Sequence, residues 1–316
     1  MTPDPTNYRA IAQGLAPIFS KRAPIWDQTR QYCHANIDEL TNAGLMGMTI
    51  PTALGGRGAS FHDVVVVVEE IAKACALSAR ILVEANMGGI SAIMAHGTDA
   101  QRSYCAALVL KGDKPAICIT EPNAGSAATD MQTTARRVDG GYMLNGTKHW
   151  ITGGGVSKLY LVFAKVLSAT GDPQGTGGFL IHVDPENGHD PKGFSVIGRE
   201  RTMGLCGMPE AELRFSDLHI PDAFVLRSPS GFEHGFAELM TAYNSQRVGA
   251  GAVALGLASG ALERATRFAK KREQFGRPIA EFQGLQWMLA DMDTAVHAAR
   301  LMLHEAARSA ETGTTG

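Results

Sequence analysis

The spacing of hydrophobic positions changes twice along the chain. Over residues 6–112 apolar side chains recur mostly every three or four positions, as at Ile37 and Leu40, which is the spacing of an amphipathic helix. Between about 113 and 225 short apolar runs alternate with turn residues, as in antiparallel strands. Helical spacing returns after Ser230. The pattern predicts an α+β fold with an N-terminal helical domain (1–112), a central antiparallel β domain (113–229) and a C-terminal helical domain (230–316).

Some stretches of the helical regions need separate interpretation. The five valines 64–68 have strand propensity, but the strong helix formers that follow them favour one helix beginning at Phe61. Residues 51–60 contain Gly55, Gly56 and Gly58 and predict a loop. In the C-terminal region, long helices are predicted over 232–272 and 280–311, with broad apolar faces that require partners.

The β region contains six predicted strands and one predicted hairpin turn. The turn is Asn145-Gly146, a dipeptide that tolerates the positive φ angles of a tight hairpin. Residues 171–178 and 186–193 are rich in Gly, Pro and Asp and predict surface loops. The predicted strands are 116–120, 142–144, 147–152, 158–166, 179–183 and 212–215.

Composition narrows the class of protein. Lys plus Arg number 29 against 31 Asp plus Glu, a net charge of −2 without a basic cluster, so nucleic acid is not an expected partner. The apolar runs are shorter than the roughly 20 residues of a membrane span. The polar N-terminus lacks a secretion signal, and five widely spaced cysteines suit reduced thiols, so we expect a cytoplasmic protein. Ten scattered histidines without ligand spacing predict no metal site.

Two motifs carry candidate chemistry. In Ile119-Thr-Glu-Pro-Asn-Ala-Gly-Ser126, two hydroxyls and a glycine can present donors to a cofactor or phosphate. In the second motif Trp150 and Thr152 precede the three glycines 153–155, so a flat ring could stack there. A core tryptophan followed by a turn explains the second motif equally well.

Together these segments resemble the acyl-CoA dehydrogenase family. The stretches 119–126, 144–152 and Arg272-Glu-Gln-Phe-Gly-Arg-Pro278, the last followed by Phe282-Gln283, occur in the family's order. The resemblance implies a helical domain, a β domain and a helical bundle, with FAD bound between the subunits of a homotetramer. Family members normally continue beyond the length of this chain, so the bundle is expected to be incomplete here.

The resemblance also implies which residues bind the flavin. Those expected to line the FAD of the same subunit are Ile119, Thr120, Gly125, Ser126, Trp150 and Thr152. Those expected to reach the FAD of a neighbouring subunit are Arg272, Gln274, Phe275 and Gln283.

The position of the family's catalytic base is unusual in this chain. Family dehydrogenases remove an α-proton with a Glu, either on the first helix of the bundle or near the end of the chain; the first position is Gln246 here, and an amide is not a proton acceptor near neutral pH. The chain is more similar to one branch of the family, the 3-sulfinopropanoyl-CoA desulfinases. The similarity lies in Ala72-Lys-Ala-Cys75 followed by Arg80, in Ala127 where dehydrogenases commonly have Asp, and in residues 243–252. That reaction releases sulfite without net oxidation and needs no strong base.

This branch implies a short acyl-CoA substrate with an anionic acyl end. The planar guanidinium of Arg80 suits a sulfinate or a carboxylate, whereas the alternative is a surface ion pair with Glu84 one turn away. Arg247 either contacts the substrate or braces its helix. The resemblance makes Arg80 and Gln246 the catalytic candidates, and it makes Arg80, Ser126, Tyr243, Asn244 and Arg247 the substrate-binding candidates.

Three functions follow from these observations. The first is FAD-dependent release of sulfite from 3-sulfinopropanoyl-CoA to give propanoyl-CoA. The second is α,β-dehydrogenation of a short or dicarboxyl-type acyl-CoA, with a base from outside these residues. The third is a truncated or non-catalytic subunit that packs with a partner through the uncovered faces of its last helices.

Overall fold

The computed structural model describes residues 7–312, apart from the side chains of residues 242, 243, 311 and 312. The helices are α1 (Tyr8–Thr29), α2 (His34–Asn42), α3 (Phe61–Ala74), α4 (Ala76–Met87), α5 (Gly89–His96), α6 (Asp99–Val109), α7 (Gly235–Tyr243), α8 (Ser245–Lys271) and α9 (Gln283–Thr312). The strands are β1 (Ala116–Cys118), β2 (Thr134–Val138), β3 (Gly141–Thr152), β4 (Leu159–Leu167), β5 (Pro173–His182), β6 (Phe194–Arg199), β7 (Glu210–Pro221), β8 (Val225–Leu226), β9 (Glu273–Gln274) and β10 (Arg277–Pro278). Among the described residues, no helix is long and apolar enough to span a membrane.

The chain forms two compact units. The first comprises residues 1–24, 59–83 and 247–316, and the second comprises 25–58 and 84–246. The three-domain division expected from the sequence stays a prediction.

The second unit contains an eight-stranded sheet in the order β6-β7-β3-β2-β4-β5-β8, with β1 also paired to β4. Most neighbours are antiparallel, but β1 and β2 both run parallel to β4. The buried face of the sheet carries aromatic side chains such as Tyr160, Phe179 and Phe215, which are almost fully excluded from solvent. The predicted β region is therefore confirmed, and most of its strand pairs are antiparallel as expected. The pairs β1–β4 and β2–β4 are parallel, which was not expected.

The hairpin turn predicted at Asn145-Gly146 is wrong. Strand β3 runs without interruption through these residues, and the turn between β2 and β3 lies at 139–140, where Gly140 has φ +73°. A Cβ atom on Gly146 would lie 2.5 Å from Oγ1 of Thr133. This glycine therefore allows a close approach of two backbones rather than a reversal of the chain.

Three other predictions need correction. The loop expected at 171–178 is largely strand, because β5 begins at Pro173. Strands β2 and β6 were not predicted, since neither has a clean alternation of buried and exposed positions. The single helix expected over 232–272 is two helices, α7 and α8, separated at Asn244.

The valine run forms the predicted helix α3, and it begins at Phe61 as expected. Ser60 caps it, because its Oγ accepts from the backbone N–H of Asp63 (3.0 Å) while the Asp63 carboxylate accepts from the N–H of Ser60 (3.3 Å). All five valines are buried. Burial of β-branched side chains thus offsets their modest helix propensity.

Within the first unit, α3 packs closely against α8. A Cβ atom on Gly256 would lie 2.4 Å from Cβ of Ala72, and one on Gly260 would lie 2.7 Å from the carbonyl oxygen of Lys73. Buried Glu69 of α3 also accepts a hydrogen bond from Nε of Arg300 on α9 (2.8 Å). The small-residue stretch of α8 therefore serves close helix packing.

Helices α8 and α9 leave an apolar groove of about 560 Å³ in the first unit. Its lining includes Leu255, Val296 and Met302, and Met302 is 74% exposed. The expectation that these helices carry uncovered apolar faces is confirmed within the described residues.

Substitution of Gly256 tests the contact between α3 and α8. We expect Gly256→Ala to lower the free energy of unfolding by about 1–3 kcal/mol, because the added methyl overlaps Ala72. Gly14→Ala in α1 is the control, since no atom lies within 4 Å of its added Cβ, and it should stabilise by about 0.5–1 kcal/mol. Urea unfolding of both variants measures the difference, and equal effects would contradict the packing argument.

Candidate flavin and acyl-CoA site

A buried ion pair fixes the loop that follows β1. Nζ of Lys148 donates to Oε1 of Glu121 (2.8 Å) and to the carbonyl oxygen of Ile119 (2.9 Å). The Glu121 carboxylate also accepts from the backbone N–H groups of Gln132 (2.5 Å) and Thr133 (2.9 Å). The Lys148 side chain is fully excluded from solvent and that of Glu121 is 6% exposed. One carboxylate therefore joins both ends of the loop 119–133 to β3.

The electrostatics of this pair follow from its surroundings. Burial alone raises the pKa of Glu121, but the hydrogen bonds from Gln132, Lys148 and Thr133 outweigh it and hold the pKa below its usual value. Burial lowers the pKa of Lys148, and the hydrogen bond and charge of Glu121 partly offset that shift. Each ion therefore favours the charged form of its partner.

Trp150 occupies a strained position next to this pair. The pairing of β3 with β7 is irregular between Lys148 and Ile151, and Trp150 has φ +58°. The bulge turns the indole outward, where it is 52% exposed and stacks on His149 with ring centroids 5.1 Å apart. The alternative of a core tryptophan is therefore wrong. Non-glycine residues with positive φ concentrate at ligand sites, and an exposed aromatic ring suits a flat cofactor.

The two predicted flavin segments lie side by side in the second unit. The backbone N–H of His149 donates to the carbonyl oxygen of Thr120 (2.8 Å). Gly125 and Ser126 are exposed, and no atom lies within 4 Å of a Cβ atom built on Gly125. The structure thus brings Ile119 and Thr120 next to Trp150 and leaves open space beside the glycine.

Thr152 is held from two directions. Its hydroxyl donates to the Glu210 carboxylate (2.9 and 3.0 Å), and its carbonyl oxygen accepts from Nζ of Lys114 (3.1 Å), a lysine that is 1% exposed. The sequence analysis missed the supporting residues Lys114, Glu121 and Lys148. A signal for Lys148 was available in the sequence. Along β3 it alternates in phase with the buried residues Tyr142 and Leu144, so its charged side chain falls on the buried face of the strand.

The residues expected to reach a neighbouring subunit belong to the first unit. Strands β9 and β10 form a short hairpin, with Phe275 at φ +54° in its turn. The Phe275 side chain is 93% exposed, and Arg272, Gln274 and Gln283 are exposed as well. Their contact with a second flavin stays a prediction.

Gln246 lies at the buried start of α8. It is 4% exposed, and its Nε2 donates to Oε1 of Glu84 near the end of α4 (2.6 Å). Next to it, Oγ of Ser245 donates to the carbonyl oxygen of Met87 (3.1 Å). Oε1 of Gln246 is buried without a hydrogen-bond partner among the described residues. The predicted base position is therefore a fixed amide beside a buried carboxylate.

The other substrate candidates are distributed over both units. Arg80 lies one turn before Glu84 on α4 and is half-buried, in the first unit. Arg247 and Asn244 are exposed. The side chain of Tyr243 is outside the described residues.

Comparison with known proteins identifies the family to which this chain belongs. Models of the acyl-CoA dehydrogenase N-terminal, middle and C-terminal domains match residues 9–113, 116–218 and 233–316. A 3-sulfinopropanoyl-CoA desulfinase of Cupriavidus necator is 55% identical over 93% of this chain and 73% of its own length. One from Advenella mimigardefordensis is 52% identical over 99% of this chain and 77% of its own length. This chain therefore belongs to the acyl-CoA dehydrogenase family of enzymes.

A solved structure agrees with this assignment. Butyryl-CoA dehydrogenase from Megasphaera elsdenii superimposes with a TM-score of 0.86 at 32% identity, covering all of this chain and 82% of the other. The match confirms the predicted fold class of helical, sheet and helical segments. Family membership also implies a flavin cofactor and fits an acyl-CoA substrate.

Breaking the Lys148–Glu121 pair should be costly. We expect Lys148→Met to lower the free energy of unfolding by about 3–5 kcal/mol, because it leaves the Glu121 charge buried without its cation. As a matched control, Asp222→Asn breaks the solvent-exposed pair with Arg137 and should change the free energy of unfolding far less. Thermal unfolding monitored by circular dichroism tests both. A cost below about 1 kcal/mol for Lys148→Met would contradict the role given to the pair.

Proposed function

We propose that this chain is an FAD-dependent 3-sulfinopropanoyl-CoA desulfinase that works in the cytoplasm as a homotetramer. Relatives of that name are 52–55% identical to it over 93–99% of its length. The observation that carries the proposal is Gln246, an amide hydrogen-bonded to Glu84 at one of the two positions from which family dehydrogenases supply a carboxylate base. An amide cannot remove an α-proton, but release of sulfite does not require that step.

The net reaction consumes one water molecule. The bond between the β-carbon and sulfur breaks, its electron pair stays on the β-carbon, and that carbon takes up a proton to become the methyl group of propanoyl-CoA. The sulfur is released at the level of sulfur dioxide, which adds water to give hydrogensulfite and one proton, and this proton balances the one taken up by the β-carbon. The charge of −1 on the sulfinate is carried away by the hydrogensulfite, so oxidation and reduction balance within the substrate and water.

The residues of this chain provide binding and orientation for that reaction. Arg80 offers a planar fork of donors to the sulfinate. Trp150 offers a ring face for the flavin and Thr120 and Ser126 offer hydroxyls, while the Thr152 hydroxyl, which donates to Glu210, can still accept a hydrogen bond. FAD, when bound, would supply a ring that can accept and return electrons.

A single anaerobic experiment tests the proposal. The visible spectrum of the purified protein is recorded before and after addition of 3-sulfinopropanoyl-CoA, and sulfite is assayed in the same tube. We expect oxidised flavin to persist while sulfite accumulates. Bleached flavin without sulfite favours dehydrogenation of an acyl-CoA, and a protein that binds no flavin favours the non-catalytic subunit.

Substitution of Arg80 tests recognition of the anionic acyl end. We expect Arg80→Lys to lower kcat/KM for sulfite release by about 10- to 100-fold, because the charge remains while the bidentate geometry is lost. Flavin content should not change. Arg137→Lys, a substitution in a surface ion pair, is the control and should leave kcat/KM within about twofold. Equal loss of flavin and of turnover in Arg80→Lys would argue against this role.

A further inference from the structure

The orientation of the Gln246 amide is determined by its neighbour. Nε2 of Gln246 donates to Oε1 of Glu84 (2.6 Å), so the amide nitrogen is the atom that faces the carboxylate. The amide oxygen therefore points away from Glu84. That oxygen is buried and has no hydrogen-bond donor within the described residues of the chain.

Glu84 is itself held in place. It is 2% exposed on α4, and Gly88 follows one turn later. A Cβ atom at position 88 would lie 2.9 Å from Oε2 of Glu84 and 2.8 Å from its carbonyl oxygen. The glycine therefore makes room for the carboxylate at the end of the helix. In the same region the hydroxyl of Ser245 donates to the carbonyl oxygen of Met87 (3.1 Å), which connects the start of α8 to the end of α4.

A buried acceptor without a donor is costly unless a ligand or water completes it. An ionised 3-sulfinopropanoyl group has no N–H or O–H donor. The nearest donors of the substrate are the amides of the CoA arm, beyond the thioester sulfur and two methylene groups. A water molecule can supply this donor, since it is small enough to reach a buried oxygen and can donate two hydrogen bonds.

We infer that Oε1 of Gln246 holds the water molecule consumed in sulfite release, and that Glu84 is the positioning residue that keeps this oxygen, rather than the amide nitrogen, turned toward the substrate. The inference rests on the proposed function. In the balanced reaction, this water adds its oxygen to the sulfur that is released from the β-carbon. One of its two protons ends in the new methyl group, and the other ends in hydrogensulfite. A neutral amide can orient the water without removing an α-proton, which a carboxylate at position 246 would do.

Two substitutions test the inference. Gln246→Met keeps the side-chain volume but removes the acceptor, and we expect kcat for sulfite release to fall about a hundredfold or more. Glu84→Gln keeps the shape of the side chain, but the new amide at position 84 can both donate and accept hydrogen bonds. The Gln246 amide is then no longer restricted to one orientation. We expect the kcat of Glu84→Gln to fall about tenfold. In both variants KM should stay within about threefold and flavin content should be unchanged, because neither residue is assigned to the flavin or the sulfinate.

Matched controls separate positioning from stability. Gln101 is another buried glutamine, with its Nε2 bonded to the carbonyl oxygens of Ala223 (2.9 Å) and Val225 (3.0 Å). Glu70 is another buried glutamate, paired with Arg9 and Lys73. Gln101→Met and Glu70→Gln should lower the melting temperature while leaving kcat per bound flavin within about twofold.

The possible results are distinct. A fall in kcat confined to the variants at 84 and 246 supports the inference. Unchanged kcat in both, or a loss that parallels the melting temperature and flavin content as in the controls, overturns it while leaving the desulfinase proposal intact. If the unmodified protein releases no sulfite, the proposed function fails and the inference fails with it.

Discussion

The buried ion pair between Lys148 and Glu121 is the constraint on which the candidate site depends. Taking two charges out of water is expensive, and the pair persists because backbone donors and a carbonyl complete its hydrogen bonds. Since the pair fixes both the loop after β1 and the middle of β3, the bulge that follows Lys148 has a rigid base. The exposed ring of Trp150 is a consequence of that bulge.

Two buried glutamates are used in different ways in the second unit. Glu121 has a cation for a partner and holds a loop, whereas Glu84 has an amide for a partner and fixes the orientation of a side chain. The second arrangement gives Gln246 a defined acceptor atom without giving it a proton to exchange. In the proposed function, this distinction is what makes an amide at position 246 compatible with a reaction without net oxidation.

Helix packing in the first unit depends on glycines that destabilise one helix but allow close contact with another. Glycines in α8 cost helix stability, but they let the backbone of α3 approach to distances at which any side chain would collide. Glu69, buried among these helices, is then satisfied by Arg300. The same unit leaves an apolar groove between α8 and α9, so its helices are only partly covered by one another.

The sequence by itself determined the fold class, the helix over the valine run and the family, and the family resemblance made Gln246 the candidate for the base position. These features depend on local periodicity, capping and contiguous motifs. The tertiary structure decided the role of Gly146, which is to allow a close approach to Thr133. Turn propensity depends only on neighbouring residues in the sequence and cannot predict such a contact. The tertiary structure also decided that Trp150 is exposed and that Glu84 is the partner of Gln246. The two residues of that pair are 162 positions apart, and no local pattern can predict which buried carboxylate meets which amide.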